Sequence, residues 1–404
     1  MFIAVLGALA TNDLLPESDR RRLGTYPVGR PGAPLISNLV NEYLRRGHRV
    51  LAITTDDQLD PDEPPFVYET DALVYVVLPY RKRIFRPNGR RPGRTADFFR
   101  FERRLMVDVL NRYRPDVVHA HWTYEFALAG LAYSPDTVIT VHDNARIIFR
   151  YVRTLNRFFH LLLARYVFSR GRWFTAVSPY MAESVQAWTA HPVAVVPNPV
   201  LLPDEQPHRV VRSRPRRPVV SMVVNGWDER KNPQKALLAF KGLQERHPDA
   251  ELWAFGTAFT PDGAAAAFCR KHAMPNVTLF GPTHHADVLA RVAQSTLLLH
   301  ASLEESFGMV PAEAMSYGVP VVAGRDSGAV AWVVADGGVL VDVTDVAAMT
   351  DGMDRLLRDP ALYDQLAANA VRNVETRFPM THVASQYLAL YRQATHLHPA
   401  EAVT

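Results

Sequence analysis

Apolar and polar positions come in short alternating blocks along the whole chain, and these blocks predict strands and helices in regular succession. Two short runs, Phe2 to Leu6 and Arg49 to Ile53, are continuously apolar except for Arg49, as in strands buried on both faces of a parallel sheet. Between these two runs lies helical periodicity that begins at Leu35 and ends at Gly47. The chain therefore predicts an α/β fold built from βαβ units.

The stretch before this first long helix is predicted to be a loop. Gly29 and Gly32, together with neighbouring prolines, make its last part rich in turn residues. The glycines lack the G-x-G-x-x-G spacing of a dinucleotide site, so the sequence does not indicate NAD. From the residues alone, a plain strand–helix turn is one interpretation of this loop.

The block pattern breaks once, and the break predicts two domains. Residues 201–217 are rich in Pro and Arg and poor in core residues, which is typical of a linker. A second series of strands then begins at Pro218, and its first helix is predicted from Pro233 to Arg246. We predict an N-terminal domain at 1–202, a linker at 203–217 and a C-terminal domain at 218–378.

The most informative stretch lies in the second domain and carries two glutamates. An apolar run from Leu297 to Leu299 predicts a strand, and Glu304 and Glu305 follow it in a loop. A helix is predicted from Pro311 to Tyr317, which places Glu313 near its start. In open α/β sheets, ligands bind at this edge, where helix N-termini direct free N–H groups outward.

Two carboxylates beside an anion site suit a sugar nucleotide. The helix N-terminus can bind a phosphate, Glu313 can accept two hydroxyl protons of a ribose, and Glu305 can bind another polyol. A metal site is less suitable because no His or Cys accompanies them. The alternative is a structural one, in which the acidic residues only complement the positive end of the helix dipole.

Polar residues also end two strands of the first domain. His119 and His121 close one apolar run, and His142 and Asp143 follow the next one. We predict that His119 and His121 face opposite sides of their strand. His119 would then be a core residue, and His121 would enter the loop. A metal site formed by His121, His142 and Asp143 is an alternative, although its spacing is not diagnostic.

Charge and cysteine content limit the remaining possibilities. Residues 1–204 contain 26 Lys and Arg against 20 Asp and Glu, and ten of these cations lie between Arg81 and Arg104. This segment is either a solvated basic surface or a contact for an anionic membrane, a polyanionic acceptor or nucleic acid. The single cysteine, Cys269, excludes an intrachain disulfide and favours a reducing compartment. No apolar run is long enough for a membrane span.

The second domain resembles a known family. Glu305 and Glu313 stand in E-S-F-G-x-x-x-x-E-A-M-x-x-G-x-P-V-V, which resembles the signature of the retaining GT-B glycosyltransferases of family GT4. The segments D-V-V-H-A-H, T-V-H-D, A-V-S-P and V-P-N-P resemble family segments of the first domain. The resemblance implies two Rossmann-like, doubly wound domains facing across a cleft, with a final segment, 379–404, crossing back to the N-terminal domain.

The resemblance also implies roles for individual residues. His121 would contact the donor sugar beside the leaving phosphate, Glu305 would hold that sugar and Glu313 the ribose. Lys231 matches a lysine that binds the donor diphosphate, whereas the family's arginine is replaced by Trp227. Arg230 is a candidate to supply the missing charge. The remaining candidates are the N–H groups of the donor loop and the residues of the acceptor or phosphate loop: Phe307, Gly308, Met309, Val310, Gly29, Gly32, His142 and Asp143.

The predicted function is transfer of a sugar from a UDP-, GDP-, ADP- or TDP-sugar to an acceptor hydroxyl with retention of configuration. This is a hexosyltransferase-type reaction that needs no metal or other cofactor. The acceptor is a polysaccharide, a lipid or a small natural product, and the expected location is cytoplasmic, with the inner face of the membrane as a further contact of Arg81–Arg104. Alternatives are another GT-B enzyme (an epimerase or a phosphorylase) and a non-catalytic protein that binds polyanions or membranes; nucleic acid is not an expected partner.

Overall fold

The computed structural model describes residues 1–203 and 217–396. It divides into two units, Met1–Pro199 with the chain from Met380 onward, and Val200–Pro379. Most of the predicted linker, residues 204–216, lies outside the described residues. Each unit contains one sheet with helices on it, so the predicted α/β class with two doubly wound domains is confirmed.

The first unit contains an eight-stranded sheet in the order β3-β4-β2-β1-β5-β6-β7-β8. Only the pairing of β3 with β4 is antiparallel among the paired strands of this sheet. The strands are β1 Phe2–Leu6, β2 Arg49–Asp56, β3 Phe66–Glu69, β4 Leu73–Pro79, β5 Val117–His121, β6 Val138–Val141, β7 Trp173–Ala176 and β8 Val193–Val195. The short edge strand β3 was not predicted.

Eight helices accompany this sheet before the chain enters the second unit, as far as residues 1–203 show. They are α1 Thr11–Leu14, α2 Glu17–Leu23, α3 Pro34–Arg45, α4 Arg100–Tyr113, α5 Glu125–Tyr133, α6 Ala145–Tyr151, α7 Leu155–Arg170 and α8 Pro179–Gln186. The prediction of a loop before α3 is wrong for α1 and α2. No residue of α2 is buried, so no apolar periodicity marks it; acidic residues in its first turn and arginines in its last complement the helix dipole instead.

The second unit contains a six-stranded, entirely parallel sheet in the order β11-β10-β9-β12-β13-β14. Its strands are β9 Val219–Val223, β10 Glu251–Phe255, β11 Val277–Gly281, β12 Leu297–His300, β13 Val321–Gly324 and β14 Gly338–Val341. Its helices are α9 Pro233–Arg246, α10 Ala264–Lys271, α11 His285–Val292, α12 Met309–Ser316, α13 Val330–Val334, α14 Val346–Arg358 and α15 Pro360–Arg377. The predicted bounds of α9 are confirmed.

The last helix, α16 Met380–His396, belongs to the first unit and packs on α3. A buried hydrogen bond of 2.9 Å joins the hydroxyl of Tyr391 on α16 to that of Tyr43 on α3. The Tyr391 hydroxyl also lies 2.6 Å from Nδ1 of His119 on β5. Buried polar groups thus tie this helix to the core of the first unit.

Candidate donor site

In the second unit, the strand order reverses between β9 and β12, and the loops that follow these two strands meet at the carboxyl edge of the sheet. Lys231 lies in the loop after β9, and Glu305 lies in the loop after β12. The ammonium of Lys231 is 2.6 Å from a carboxylate oxygen of Glu305, and both side chains are mostly buried. Such a reversal is where open α/β sheets bind ligands, so the ion pair lies at the expected place for a binding site.

Electrostatics keep Glu305 ionised in this partly buried position. Burial alone would raise the pKa of Glu305, but Lys231, with smaller contributions from His300 and Ser302, outweighs this effect, and the pKa lies below its usual range. His300, at the end of β12, approaches the same carboxylate to 3.6 Å. Burial lowers the pKa of His300 to about 4, against the opposing effect of Glu305, so this ring is uncharged at neutral pH. Lys231 is therefore the cation that balances Glu305.

Asn232 holds the Lys231 loop in place, and sequence reasoning did not single it out. Its buried side-chain amide donates to the carbonyls of Ala301 at 3.2 Å and Val343 at 2.8 Å, which belong to two other loops of the same edge. Its backbone is left-handed, with φ of 53°, a conformation that Asn tolerates better than most residues. An asparagine directly before the proline that opens α9 was the available sequence signal.

Helix α12, which follows the Glu305 loop, is longer than predicted. α12 starts at Met309 rather than at Pro311, and Gly308 is its N-cap with φ of 102°. This left-handed conformation favours glycine and brings the N–H groups of Met309 and Val310 to the first turn. The side chain of Phe307 is buried between Trp332 and Phe378, so Phe307 can offer a ligand only its backbone.

Three further contacts position the glutamates. The backbone N–H of Glu305 donates to Ser327 at 3.3 Å, and its carbonyl accepts from Ala329 at 3.0 Å, so a glycine-rich loop fixes it on both sides. Glu313 lies in the second turn of α12, where its carboxylate is 2.9 Å from Nε2 of His285. His285, at the start of α11, is a neighbour that the sequence analysis did not identify.

In the first unit, the interpretation of the two histidines on β5 is wrong in its geometry. Residues two apart on a strand point to the same side, and the rings of His119 and His121 lie 4.1 Å apart, both buried. Nδ1 of His121 is 2.8 Å from Nε2 of His142. Nε2 of His121 has no hydrogen-bond partner within the described residues. His121 is thus a buried strand residue whose Nε2 is itself buried and has no partner among the described residues.

These rings are neutral at physiological pH. Burial lowers the pKa of His119 to about 3, and the nearby His142 adds to this effect. Burial also lowers the pKa of His142 to about 3 and that of His121 well below its usual range. Asp143 accepts a hydrogen bond of 2.7 Å from the Tyr124 hydroxyl. No group of three potential metal ligands occurs among residues 1–203 and 217–396, so the alternative of a metal site at His121, His142 and Asp143 finds no support.

The two glycines of the first loop differ in what they require. Gly29 has φ of 76°, and a Cβ there would lie 2.5 Å from the Leu9 carbonyl and 2.6 Å from the Tyr75 hydroxyl. Its N–H donates to Asp56 at 2.9 Å. Gly32 has φ of 113° and meets no such neighbour within the described chain. Gly29 is therefore required by packing and backbone conformation together, whereas Gly32 is required by conformation alone.

Comparison with known proteins identifies the family. The family description "Glycosyltransferase Family 4" matches residues 34–202, and the description "Glycosyl transferases group 1" matches residues 204–373. The two matches follow each other along the chain and together cover both units. The chain belongs to glycosyltransferase family 4.

Among relatives of this family 4 protein, D-inositol 3-phosphate glycosyltransferase from Nocardioides sp. is 40% identical over 121 residues. The matched stretch covers 29% of this chain and only 26% of that relative's length. Sucrose-phosphate synthase from Thermosynechococcus elongatus has a similar structure, with a TM-score of 0.75, 18% identity, and coverage of 98% of this chain and 100% of that one. The structure of alpha,alpha-trehalose 6-phosphate synthase from Burkholderia multivorans is also similar, with a TM-score of 0.71 and 13% identity. That match covers 98% of this chain and 99% of the other. These similarities confirm the predicted GT-B fold.

This family 4 chain has Trp227 at the position where the resemblance implied a diphosphate-binding arginine. The indole is partly buried against the core of the second unit, and its ring lies 6.0 Å from that of Phe268. Arg230, three residues on, is 3.9 Å from the carboxylate of Glu304 in the loop after β12. A packed aromatic ring thus occupies the position expected for an arginine, and Arg230 brings its charge to the neighbouring loop.

The basic segment of the family 4 chain is not the uniformly solvated surface that was the simplest interpretation. Arg81 is fully buried, with its guanidinium 2.8 Å from Asp97 and 2.6 Å from Glu102. Arg81 therefore stabilises the loop before α4 through buried ion pairs and cannot contact a membrane or a polyanion. Within the described chain, no helix is both long and apolar enough to cross a bilayer.

Proposed function

We propose that this protein transfers a sugar from a nucleotide-sugar donor to an acceptor hydroxyl, with retention of the anomeric configuration. The observation that carries the proposal is the Lys231–Glu305 pair, 2.6 Å apart, beside the N-terminus of α12. A fixed cation, free N–H groups and carboxylates in one place suit a ligand that combines a diphosphate with hydroxyls. Family membership supports the same reaction class.

In the proposed mechanism, the departing diphosphate is stabilised by Lys231 and by the first N–H groups of α12. The ammonium has three N–H donors, so it can hold Glu305 with one and phosphate oxygens with the others. Positive groups already in place where charge develops lower the barrier without reorganisation. We therefore propose that no divalent metal is needed, and that Arg230 adds positive charge at the rim of this site.

The carboxylates have separate proposed roles. Glu313 accepts hydrogen bonds from the ribose hydroxyls, with His285 orienting its carboxylate. Glu305, kept ionised by Lys231, accepts hydrogen bonds from hydroxyls of the transferred sugar. Charge on Glu305 also favours the oxocarbenium-like transition state of glycosyl transfer. In the first unit, we assign to the neutral His121 a hydrogen bond to a reactant through Nε2, the buried nitrogen that has no partner among the described residues.

The test is turnover with a panel of UDP-, GDP-, ADP- and TDP-sugars in the presence of EDTA, with mixed polyol and phosphorylated-sugar acceptors. We expect one nucleotide to be released and a product whose anomeric coupling in proton NMR matches that of the donor. Inverted configuration would refute the retaining mechanism. Absence of transfer together with tight polyanion binding would favour the non-catalytic alternative.

A further inference from the structure

Apolar side chains are exposed along one face of α7, a helix whose opposite face is buried in the first unit. Leu155, Phe158, Leu162 and Tyr166 are 61%, 42%, 43% and 51% exposed. Their spacing of three, four and four residues places them in one line along the helix, and we call them the apolar stripe. The buried face of the same helix carries Leu163, Ala164, Val167 and Phe168. Core packing therefore explains one face of α7 but not the other.

The stripe continues into neighbouring segments. Phe85 and Phe98, both exposed and both from the loop before α4, each place their rings 5.7 Å from Phe159 of α7. Phe159 in turn lies 6.2 Å from Phe158 in the stripe. With Val152, these residues account for seven of the twelve exposed large apolar side chains of the described chain. Single exposed apolar residues are ordinary, but a contiguous set of this kind indicates an interaction surface.

The charged residues of the segment that carries the stripe have one sign. Residues 145–172 contain seven arginines and no Asp or Glu. Six of the seven are exposed, the exception being the half-buried Arg157. A second copy of the chain is a poor partner for this surface, because a two-fold interface would bring the same arginines together. Nucleic acid would satisfy the arginines but leave the leucines and phenylalanines in water.

We propose that the apolar stripe and its arginines dock the protein on an anionic lipid bilayer. α7 would lie in the plane of the interface, with Leu155, Phe158 and Leu162 among the acyl chains and the arginines at the phosphate level. Apolar burial together with attraction to anionic lipids is what holds such helices to membranes. The inference is independent of the proposed transfer reaction and uses none of the donor-site residues.

The experiment is co-sedimentation of the full chain with two kinds of vesicle, at an ionic strength of about 0.15 M. One kind contains phosphatidylcholine alone, and the other contains about 30% phosphatidylglycerol in addition. We expect binding to the anionic vesicles that weakens as salt is raised. Leu155→Ser/Phe158→Ser/Leu162→Ser should lower the partition coefficient by about a hundredfold, because the apolar groups no longer insert. Arg150→Gln/Arg153→Gln should lower it by more than about tenfold.

Matched controls come from exposed residues elsewhere. Leu23→Ser/Val195→Ser removes apolar surface away from α7, and Arg21→Gln/Arg22→Gln removes the same charge from α2. Neither should change vesicle binding by more than about twofold, since only charges and apolar groups near the bilayer contribute. As an independent measurement, Leu162→Trp should shift its fluorescence to the blue on anionic vesicles. All variants should keep the thermal stabilisation by a nucleotide that the donor site predicts.

Three results would overturn the proposal. One is no binding to anionic vesicles, with an unshifted Leu162→Trp emission. Another is vesicle binding that the arginine variant loses and the stripe variant keeps unchanged. That result would indicate a contact with a polyanion such as nucleic acid. The third is concentration-dependent self-association without vesicles that the stripe variant abolishes, because the stripe would then bind a second copy.

Discussion

The two units have the same doubly wound architecture but present opposite chemistry at the point where their strand order reverses. The second unit holds a fixed ion pair, Lys231 with Glu305, beside a helix N-terminus. The first unit presents neutral imidazoles, with His121 hydrogen-bonded to His142 and its ring 4.1 Å from that of His119. A charged edge suits the anionic end of a substrate, and an uncharged hydrogen-bonding edge suits hydroxyls. The same fold thus supports different tasks through the residues at its strand ends.

The largest expected effect comes from removing the cation of the charged edge. Lys231→Ala should lower kcat/KM by about a thousandfold, because one preformed electrostatic contact to a developing charge is lost. Steady-state release of the nucleotide would measure this. Lys235→Ala, which removes an exposed lysine of the adjoining helix, is the matched control and should remain near wild type. Equal activities of the two variants would mean that Lys231 does not face the diphosphate.

Glu305 distinguishes recognition of the sugar from recognition of the phosphates. Glu305→Gln should lower kcat/KM by about fiftyfold, since hydrogen bonds to a charged acceptor are lost. Binding of the nucleoside diphosphate alone, measured by calorimetry, should change by less than about threefold. A parallel loss of nucleotide affinity would show that Glu305 supports the Lys231 loop rather than the sugar.

Acid should affect the neutral edge of the first unit. His119 and His142 have pKa values of about 3 when folded and near 6.5 when unfolded, so the unfolded chain binds more protons between these values. Unfolding free energy should therefore fall as the pH drops from about 6.5 toward 3, by up to about 1.4 kcal/mol per pH unit for each ring. Hydrogen exchange of the β5 and β6 amides would measure it. An unchanged pH slope in His142→Gln would contradict this account.

The departure at Trp227 allows a smaller test of the charged edge. Trp227→Arg should destabilise the second unit by about 1–3 kcal/mol, because a packed ring is replaced by a charge, and it should not improve nucleotide affinity. Arg230→Ala should weaken nucleotide binding by about tenfold. Thermal unfolding and calorimetry would measure the two effects. Tighter nucleotide binding in Trp227→Arg would show that Arg230 does not replace the missing arginine.

The difference between the edges also explains what the sequence could predict. Glu305 and Glu313 lie within one short strand–loop–helix segment, so local pattern was enough to place them, although it put the start of α12 two residues too late. The contacts of Asn232, and of His285 with Glu313, join loops that are distant in sequence, and no local pattern marks them.

Burial and partnership were harder to predict in the first unit. In the sequence, Arg81 cannot be told apart from its exposed basic neighbours. In the structure, it is buried and paired with Asp97 and Glu102. The pairing of His121 with His142 likewise depends on neighbouring strands. Local periodicity predicts elements, whereas the environment of a charged or titratable side chain depends on tertiary contacts.

The most direct test of the donor site is thermal unfolding with millimolar UDP, GDP, ADP or TDP in EDTA. A nucleotide present at about 100 times its dissociation constant should stabilise the protein by about 2.7 kcal/mol, or by about 5 °C or more. We predict such a shift for one base, its loss in Glu313→Ala, and its retention in the surface control Glu375→Ala. A folded protein that no nucleotide stabilises, or an equal shift in both variants, would contradict the donor site proposed here.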